Sequence, residues 1–380
     1  MRQTVFGPDL SCLNPCMYRP RTFLFGRQGR TTAALLAVAT VATLGLTGCA
    51  NNDKPVGPVA ADTPLPVEVP AGTKLIVADQ SERLQSVLRI SGELDKLPFQ
   101  VEFANFVGGP AILEAFRAEA ADVAQVGDVP PIHALIAGQD VPIVAAYQTS
   151  PTALKLAVAP GKSVSTLADL KGKKIAYAEG TAQQAAVLRA LDKAGLKPGD
   201  VQLIRLQLAE FLDAVRTAQV DVAPLIEPNV TRLLRTPGAS LIPDAQTEGI
   251  YGGLGYLYAR RAVAQDPAKA AATRALVGAF VRANQWVNAH QEEWARRYYV
   301  DNQKVSPEDA KRIVDSLGTF TFPHLDQKLV DRQQATIDAI AKAGELPKKV
   351  QAANGFDLRY DAAITEAVTA SGAAFAPKER

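Results

Sequence analysis

The side chains able to do chemistry are few in these 380 residues. His133, His290 and His324 are the three histidines, and none has a partner at metal-ligand spacing. Cys12, Cys16 and Cys49 all fall near the N-terminus. No nucleophile elbow, phosphate loop or dinucleotide fingerprint occurs, so the reading assigns no catalytic residue, no metal and no cofactor. What remains is a set of loops rich in glycine, proline and single acids, at residues 79–80, 107–110, 127–130, 180–184 and 226–228. Several run directly into helix starts, where free N–H groups and the positive dipole end suit an anionic oxygen cluster. The candidate binding residues are therefore Asp79, Gln80, Gly108, Gly109, Gly127, Asp128, Val129, Gly180, Thr181, Ala182, Gln183, Gln184 and Glu227, with Tyr147, Gln148 and Tyr251 on a hinge side.

Elements able to bring these loops together are legible in the pattern. Residues 74–78 read as an apolar strand, followed by a helix that Ser81 could cap and that ends near Leu94; residues 99–103 alternate as a second strand. Gly108-Gly109-Pro110 opens another helix, which leads into a third strand before Gly127. The same order returns about 99 residues later: a strand at 174–178, a helix opened by Gly180-Thr181, a strand at 201–206. The segment 214–223 repeats 115–124 at Ala, Arg, Asp, Val and Ala. Two β-α-β lobes of like design follow, with loops facing one cleft. Crossovers between them are placed at 147–155 and 251–258. Beyond residue 266 the pattern is helical, with runs at 268–290, 326–343 and 357–370, and Trp286 and Trp294 read as packing residues.

A hydrophobic fraction of 47%, 21% charged residues and a mean hydropathy of 0.00 describe a globular chain and exclude a polytopic membrane protein. The net charge of +2 is a sum of unlike parts. Residues 1–48 hold Arg2, Arg19, Arg21, Arg27 and Arg30 against Asp9, which leaves 36 of 41 basic and 38 of 39 acidic side chains for the rest. No basic cluster is interleaved with aromatics, so nucleic acid is not a partner in this reading. Residues 31–52 carry no charge, and 33–46 form an apolar run shorter than the roughly 20 residues a spanning helix needs. It ends in Leu46-Thr-Gly-Cys49, which resembles the bacterial lipobox. That resemblance implies an export signal over 1–48, cleavage before Cys49 and lipidation of Cys49. Met17 offers an alternative start that deletes Cys12 and Cys16. Prolines 55, 58, 64, 66 and 70 read as an extended tether over 49–72 that lifts the body off a membrane. The body then divides into lobe 1 (73–150), lobe 2 (151–257) and C-terminal helices (258–380) completing mainly lobe 1.

Gly127-Asp-Val-Pro-Pro-Ile132, Leu167-Ala-Asp-Leu-Lys-Gly-Lys-Lys-Ile-Ala176, Gly180-Thr-Ala-Gln-Gln184 and Val220-Asp-Val-Ala-Pro-Leu-Ile-Glu-Pro228 resemble the periplasmic substrate-binding proteins of ABC importers for aliphatic sulfonates, taurine and nitrate. The resemblance implies a type II periplasmic-binding fold, an α/β architecture of two lobes joined by two crossover strands. It also implies capture of a small sulfonate-like solute by a monomer and delivery to an ABC permease and its ATPase at the outer face of the cell membrane. Where relatives read Gly-Ser-Ser-Ala-His, this chain ends in Gln184, and Ile226 stands where an aromatic is usual. Asp79 or Glu227 is read as facing an amine on a solute that also carries an acidic head. Two other readings fit the same features: an enzyme on this fold, like the relatives that make a thiamine pyrimidine precursor, and a ligand-sensing lipoprotein.

Overall fold

The computed structural model describes residues 58–60 and 62–377, which fall in one compact unit. The export signal, Met17 and Cys49 lie outside the described residues. Among the described residues there are ten strands: β1 (Lys74–Asp79), β2 (Gln100–Asn105), β3 (Val123–Gly127), β4 (Ile143–Gln148), β5 (Leu154–Val158), β6 (Lys174–Tyr177), β7 (Gln202–Arg205), β8 (Val222–Ile226), β9 (Ser240–Leu241) and β10 (Leu254–Ala259). Around them pack α1 (Arg83–Ile90), α2 (Gly109–Arg117), α3 (Pro130–Ala137), α4 (Ala182–Lys193), α5 (Phe211–Arg216), α6 (Asn229–Leu234), α7 (Asp244–Thr247), α8 (Arg261–Gln265), α9 (Pro267–Ala289), α10 (Gln291–Trp294), α11 (Pro307–Leu317), α12 (Gln327–Lys342) and α13 (Asp361–Ser371).

The strands form two five-stranded sheets of identical plan, β2-β1-β3-β10-β4 and β7-β6-β8-β5-β9. In each, the first three strands are parallel and the fourth runs antiparallel. That fourth strand is reached after a visit to the other sheet: β5 follows β4 across residues 149–153, and β10 follows β9 across 242–253. Two lobes exchanging strands through two crossovers is the architecture the sequence implies.

The internal repeat is a repeat of hydrogen bonding. Asp122 donates its N–H to the Ile76 carbonyl at 2.7 Å and accepts from the Ile76 N–H at Oδ2 at 2.9 Å. In lobe 2, Asp221 does the same with Lys174, both contacts at 2.8 Å. Each aspartate thus closes the exposed end of the parallel pair it heads. Its buried charge is met by cations, Arg260 at 2.9 Å and Lys269 at 2.8 Å for Asp122, and Lys162 at 2.8 Å for Asp221. The residues before the two strands, Glu119 and Ala218, share a left-handed φ of 56°.

Two local readings differ. Helix α1 is capped by Asp79 rather than Ser81, because the Asp79 carboxylate reaches the Leu84 and Gln85 N–H groups while Ser81 is itself left-handed. The proline-rich stretch before lobe 1 does not stand away from the body over residues 59–72. Leu65 is buried, Val59 and Val69 pack on the core, Val59 donates to the Gln265 carbonyl at 2.8 Å, and Arg359 Nη1 holds the Ala60 carbonyl at 2.7 Å. Leu65, Val59 and Val69 between the prolines gain from burial, while Val67 stays exposed.

Candidate functional site

A cavity of about 240 Å³ lies where the carboxyl ends of both sheets face one another, with walls from β1, β3, β4, α4, β8 and the segment after α10. The lobes touch around it. A Cβ on Gly109 would sit 2.3 Å from Pro130 Cγ and 3.2 Å from the Gly180 carbonyl oxygen, and one on Gly127 would sit 2.9 Å from Ala182 Cβ. Only a residue without a side chain lets the loops approach this closely.

Ten of the candidate residues line the cavity: Asp79, Gln80, Gly109, Gly127, Tyr147, Thr181, Ala182, Gln183, Glu227 and Tyr251. Six do not. Gly108 faces Leu208 at the rim, its N–H donating to Gln80 Oε1 at 3.2 Å. Asp128 and Val129 are buried behind the cleft, where Asp128 meets Thr336 at 3.4 Å and Arg189 at 3.8 Å. Gln148 pairs with Arg332 at 3.3 Å, and Gly180 and Gln184 sit between the lobes. Gln184 Oε1 accepts from the Gly180 N–H at 2.9 Å and is 3.2 Å from His133 Nε2 of the other lobe, while its Nε2 donates to the Tyr177 hydroxyl at 2.9 Å. Because Gly180 fixes Oε1 as an acceptor, His133 Nε2 is the donor. Burial holds the His133 pKa below its ordinary 6.5. The amide at 184 is thus an interlobe tie.

Both acids are engaged by backbone of their own lobes. Asp79 Oδ1 accepts from Gln80 N at 2.7 Å and Leu84 N at 2.9 Å, and Oδ2 accepts from Gln85 N at 2.8 Å. Burial still drives its pKa above the ordinary carboxylate value. Glu227 Oε2 accepts from the Thr231 N–H at 3.0 Å and hydroxyl at 2.7 Å. Both carboxylates therefore cap helix starts from within their own lobes while lining the cavity.

The side chains missed from the sequence supply charge and aromatic surface. Arg83 lines the cavity; its Nη2 donates to Asn284 Oδ1 at 2.9 Å, and its Nη1 is buried with no hydrogen-bond partner among the described residues. The guanidinium stacks over the rings of Phe320 at 4.6 Å and Trp294 at 5.8 Å. Tyr298 and Tyr299 join Tyr147 and Tyr251 in the wall, so aromatic surface absent at Ile226 arrives from other elements. Burial raises the pKa of all four tyrosines, which stay neutral hydroxyls at physiological pH. The same cavity is lined by the start of α4, where Thr181 is the cap and the first N–H groups have no partner within the helix. A half-buried cation and a helix N-terminus in one cavity are a setting for one anionic head with an apolar body.

Two like-built α/β lobes, exchanged strands and a cleft between their loop ends define the two-lobed fold of periplasmic binding proteins. Within that class the sequence matches, over residues 108–293, the family described as NMT1/THI5 like. An Escherichia coli (strain K12) relative named for aliphatic sulfonate binding is 28% identical over 251 residues, 66% of this chain and 77% of that protein. The taurine-binding periplasmic protein of the same organism is 28% identical over 152 residues, 40% of this chain and 46% of its own. Among solved structures, the alkanesulfonate-binding protein SsuA from Xanthomonas axonopodis pv. citri bound to MOPS superposes with TM-score 0.69 at 25% identity, covering 76% of this chain and 99% of that one. The periplasmic aliphatic sulphonate binding protein SsuA from Escherichia coli gives 0.64 at 26% identity, covering 74% and 91%. The family resemblance read from the sequence and the α/β two-lobed fold are borne out. The desulfurization enzyme DSZB shares the fold at TM-score 0.58 and 14% identity.

Proposed function

We propose that this chain is an exported, lipid-anchored solute-binding protein that takes a small sulfonate-like anion into the interlobe cleft and delivers it to an ABC permease. The observation that carries the reading is Arg83, a cavity-lining guanidinium whose buried Nη1 has no hydrogen-bond partner among the described residues, in a cavity also lined by the start of α4. A buried cation is costly unless a charged partner arrives, and a sulfonate supplies both charge and acceptor oxygens. The sulfonate and taurine relatives support the solute class, and their periplasmic location supports export. The cavity lining contains no cysteine or histidine, which weighs against an enzyme using those groups.

Because Asp79 and Glu227 are committed to helix caps, a plain alkanesulfonate is the better solute and taurine the poorer. Titration calorimetry with butane-1-sulfonate and taurine tests this: binding is expected for the first, at least about tenfold weaker for the second. No binding of either by the parent protein overturns the reading, as does an Arg83→Ala variant that binds as tightly as the parent.

A further inference from the structure

One stretch of chain outside both sheets holds cleft residues of both lobes at once. After α10 the backbone makes a π-helical turn over Ala295–Val300, a rare conformation that recurs at functional positions. It is pinned by Trp294, which is buried and stacked on Tyr298 with ring centroids 4.5 Å apart. On the lobe 1 side, the Tyr298 hydroxyl donates to the Ser81 carbonyl at 2.8 Å, Gln303 Nε2 donates to the same oxygen at 3.3 Å, and Asn302 Nδ2 donates to Glu82 Oε2 at 2.8 Å. Ser81 and Glu82 are both left-handed at φ 55°, a costly pair for residues with side chains that these contacts hold in place. On the lobe 2 side, Arg232 Nη2 donates to the Gln303 carbonyl at 3.0 Å and Arg235 pairs with Asp309. Arg312 Nη2 donates to Thr231 Oγ1 at 2.7 Å, and its Nη1 lies 3.6 Å from Glu227 Oε1. Ser81 and Glu227 line the cavity from opposite lobes.

We infer that residues 298–312 are an interlobe clasp that sets how long the solute is retained, with Arg232 and Arg312 as positioning residues acting through Gln303 and through Thr231 and Glu227. The clasp rests on the solute-binding reading, yet its mechanical part stands on the chain alone. Opening the cleft separates α6 from the 301–312 segment, so these contacts break on release and form on closure. Retention then depends on bonds remote from the solute, and because Arg235 and Arg312 are about half exposed it weakens as salt rises.

Stopped-flow release of butane-1-sulfonate and paired spin labels on exposed Glu102 and Glu210, one in each lobe, test this in the full chain. The Arg232→Ala/Arg312→Ala double variant is expected to release the solute about tenfold faster with association changed less than about threefold. Its ligand-free lobes should sit farther apart than the parent's, and Arg312→Lys should fall between. Raising salt should speed release from the parent more than from the double variant, which keeps the Arg235–Asp309 pair. A release rate and lobe separation both equal to the parent's overturn the clasp while leaving solute binding intact. If the parent binds no sulfonate, the spin-label distances alone decide the matter. Should the double variant fail to fold, Arg235→Gln carries the same expectations in milder form.

Discussion

Asp79, Asp128 and Glu227 are three acids beside one cleft, and the first and last spend carboxylate oxygens on helix starts while Asp128 is buried behind it. From sequence, a carboxylate at the end of a strand is placed equally well for a ligand and for the helix that follows. Geometry decides, and here the N–H groups of Leu84, Gln85 and Thr231 are nearer. Asp79→Asn keeps one acceptor oxygen and loses the charge, so unfolding free energy should fall by about 1–3 kcal/mol, read by denaturant titration, with the preference for butane-1-sulfonate over taurine unchanged. Asp128 is the opposite case. Its Oδ1 is buried without a partner and burial raises its pKa above the ordinary 3.8 despite Arg189. A carboxyl whose folded pKa is raised stabilises the fold below its unfolded value and loses that contribution as pH rises through the folded value. Asp128→Asn should therefore match or exceed the parent in melting temperature at pH 7, and the parent should gain on it as pH falls toward 4. Arg83 escaped the sequence reading because one arginine at a helix start looks like any solvated arginine; the rings over it, Trp294 and Phe320, lie more than 200 residues away.

The first strands, the helices opened by Gly108-Gly109 and Gly180-Thr181, and the repeat were legible because their signals are local. Apolar runs make strands, glycine and proline mark the helix starts, and the shared Asp recurs where each third strand begins. The π-helical turn was not legible, since Ala295-Arg-Arg-Tyr-Tyr-Val300 reads as ordinary amphipathic helix. Its register is set by tertiary packing, with Trp294 stacked against Tyr298 and Tyr298 bound to Ser81. Trp294→Ala should cost about 3–5 kcal/mol and release solute faster, because the cavity it leaves frees the turn that supplies Tyr298 and Tyr299. Gly109→Ala brings a Cβ against Pro130 and toward the Gly180 carbonyl. Affinity should drop with little change in the circular dichroism spectrum, since the clash falls where the lobes meet.

At the scale of the molecule, two lobes, two crossovers and C-terminal helices follow the sequence reading, and the course of residues 59–72 does not. Leu65 is buried and Arg359 grips the backbone at Ala60, so this stretch belongs to the body it precedes. A protein beginning at residue 58 should melt with the full mature chain, whereas one beginning at residue 73 should lose about 1.5–3 kcal/mol from Leu65 alone and melt several degrees lower. Proline counts suggested reach, but reach is decided by what lies between the prolines.

Asp79 and Glu227 each seat one of the chain's own carboxylates on a helix start, so two of the helix ends around the cleft are occupied before any solute enters. A guanidinium and the start of α4 remain, enough for a single anionic head. A solute charged at both ends, such as an alkane-α,ω-disulfonate, would bring its second head toward one of these internal anions and be repelled. If the solute is the anion proposed, the cleft should select by valence as well as by shape, because the protein already carries carboxylates where a second anionic head would go.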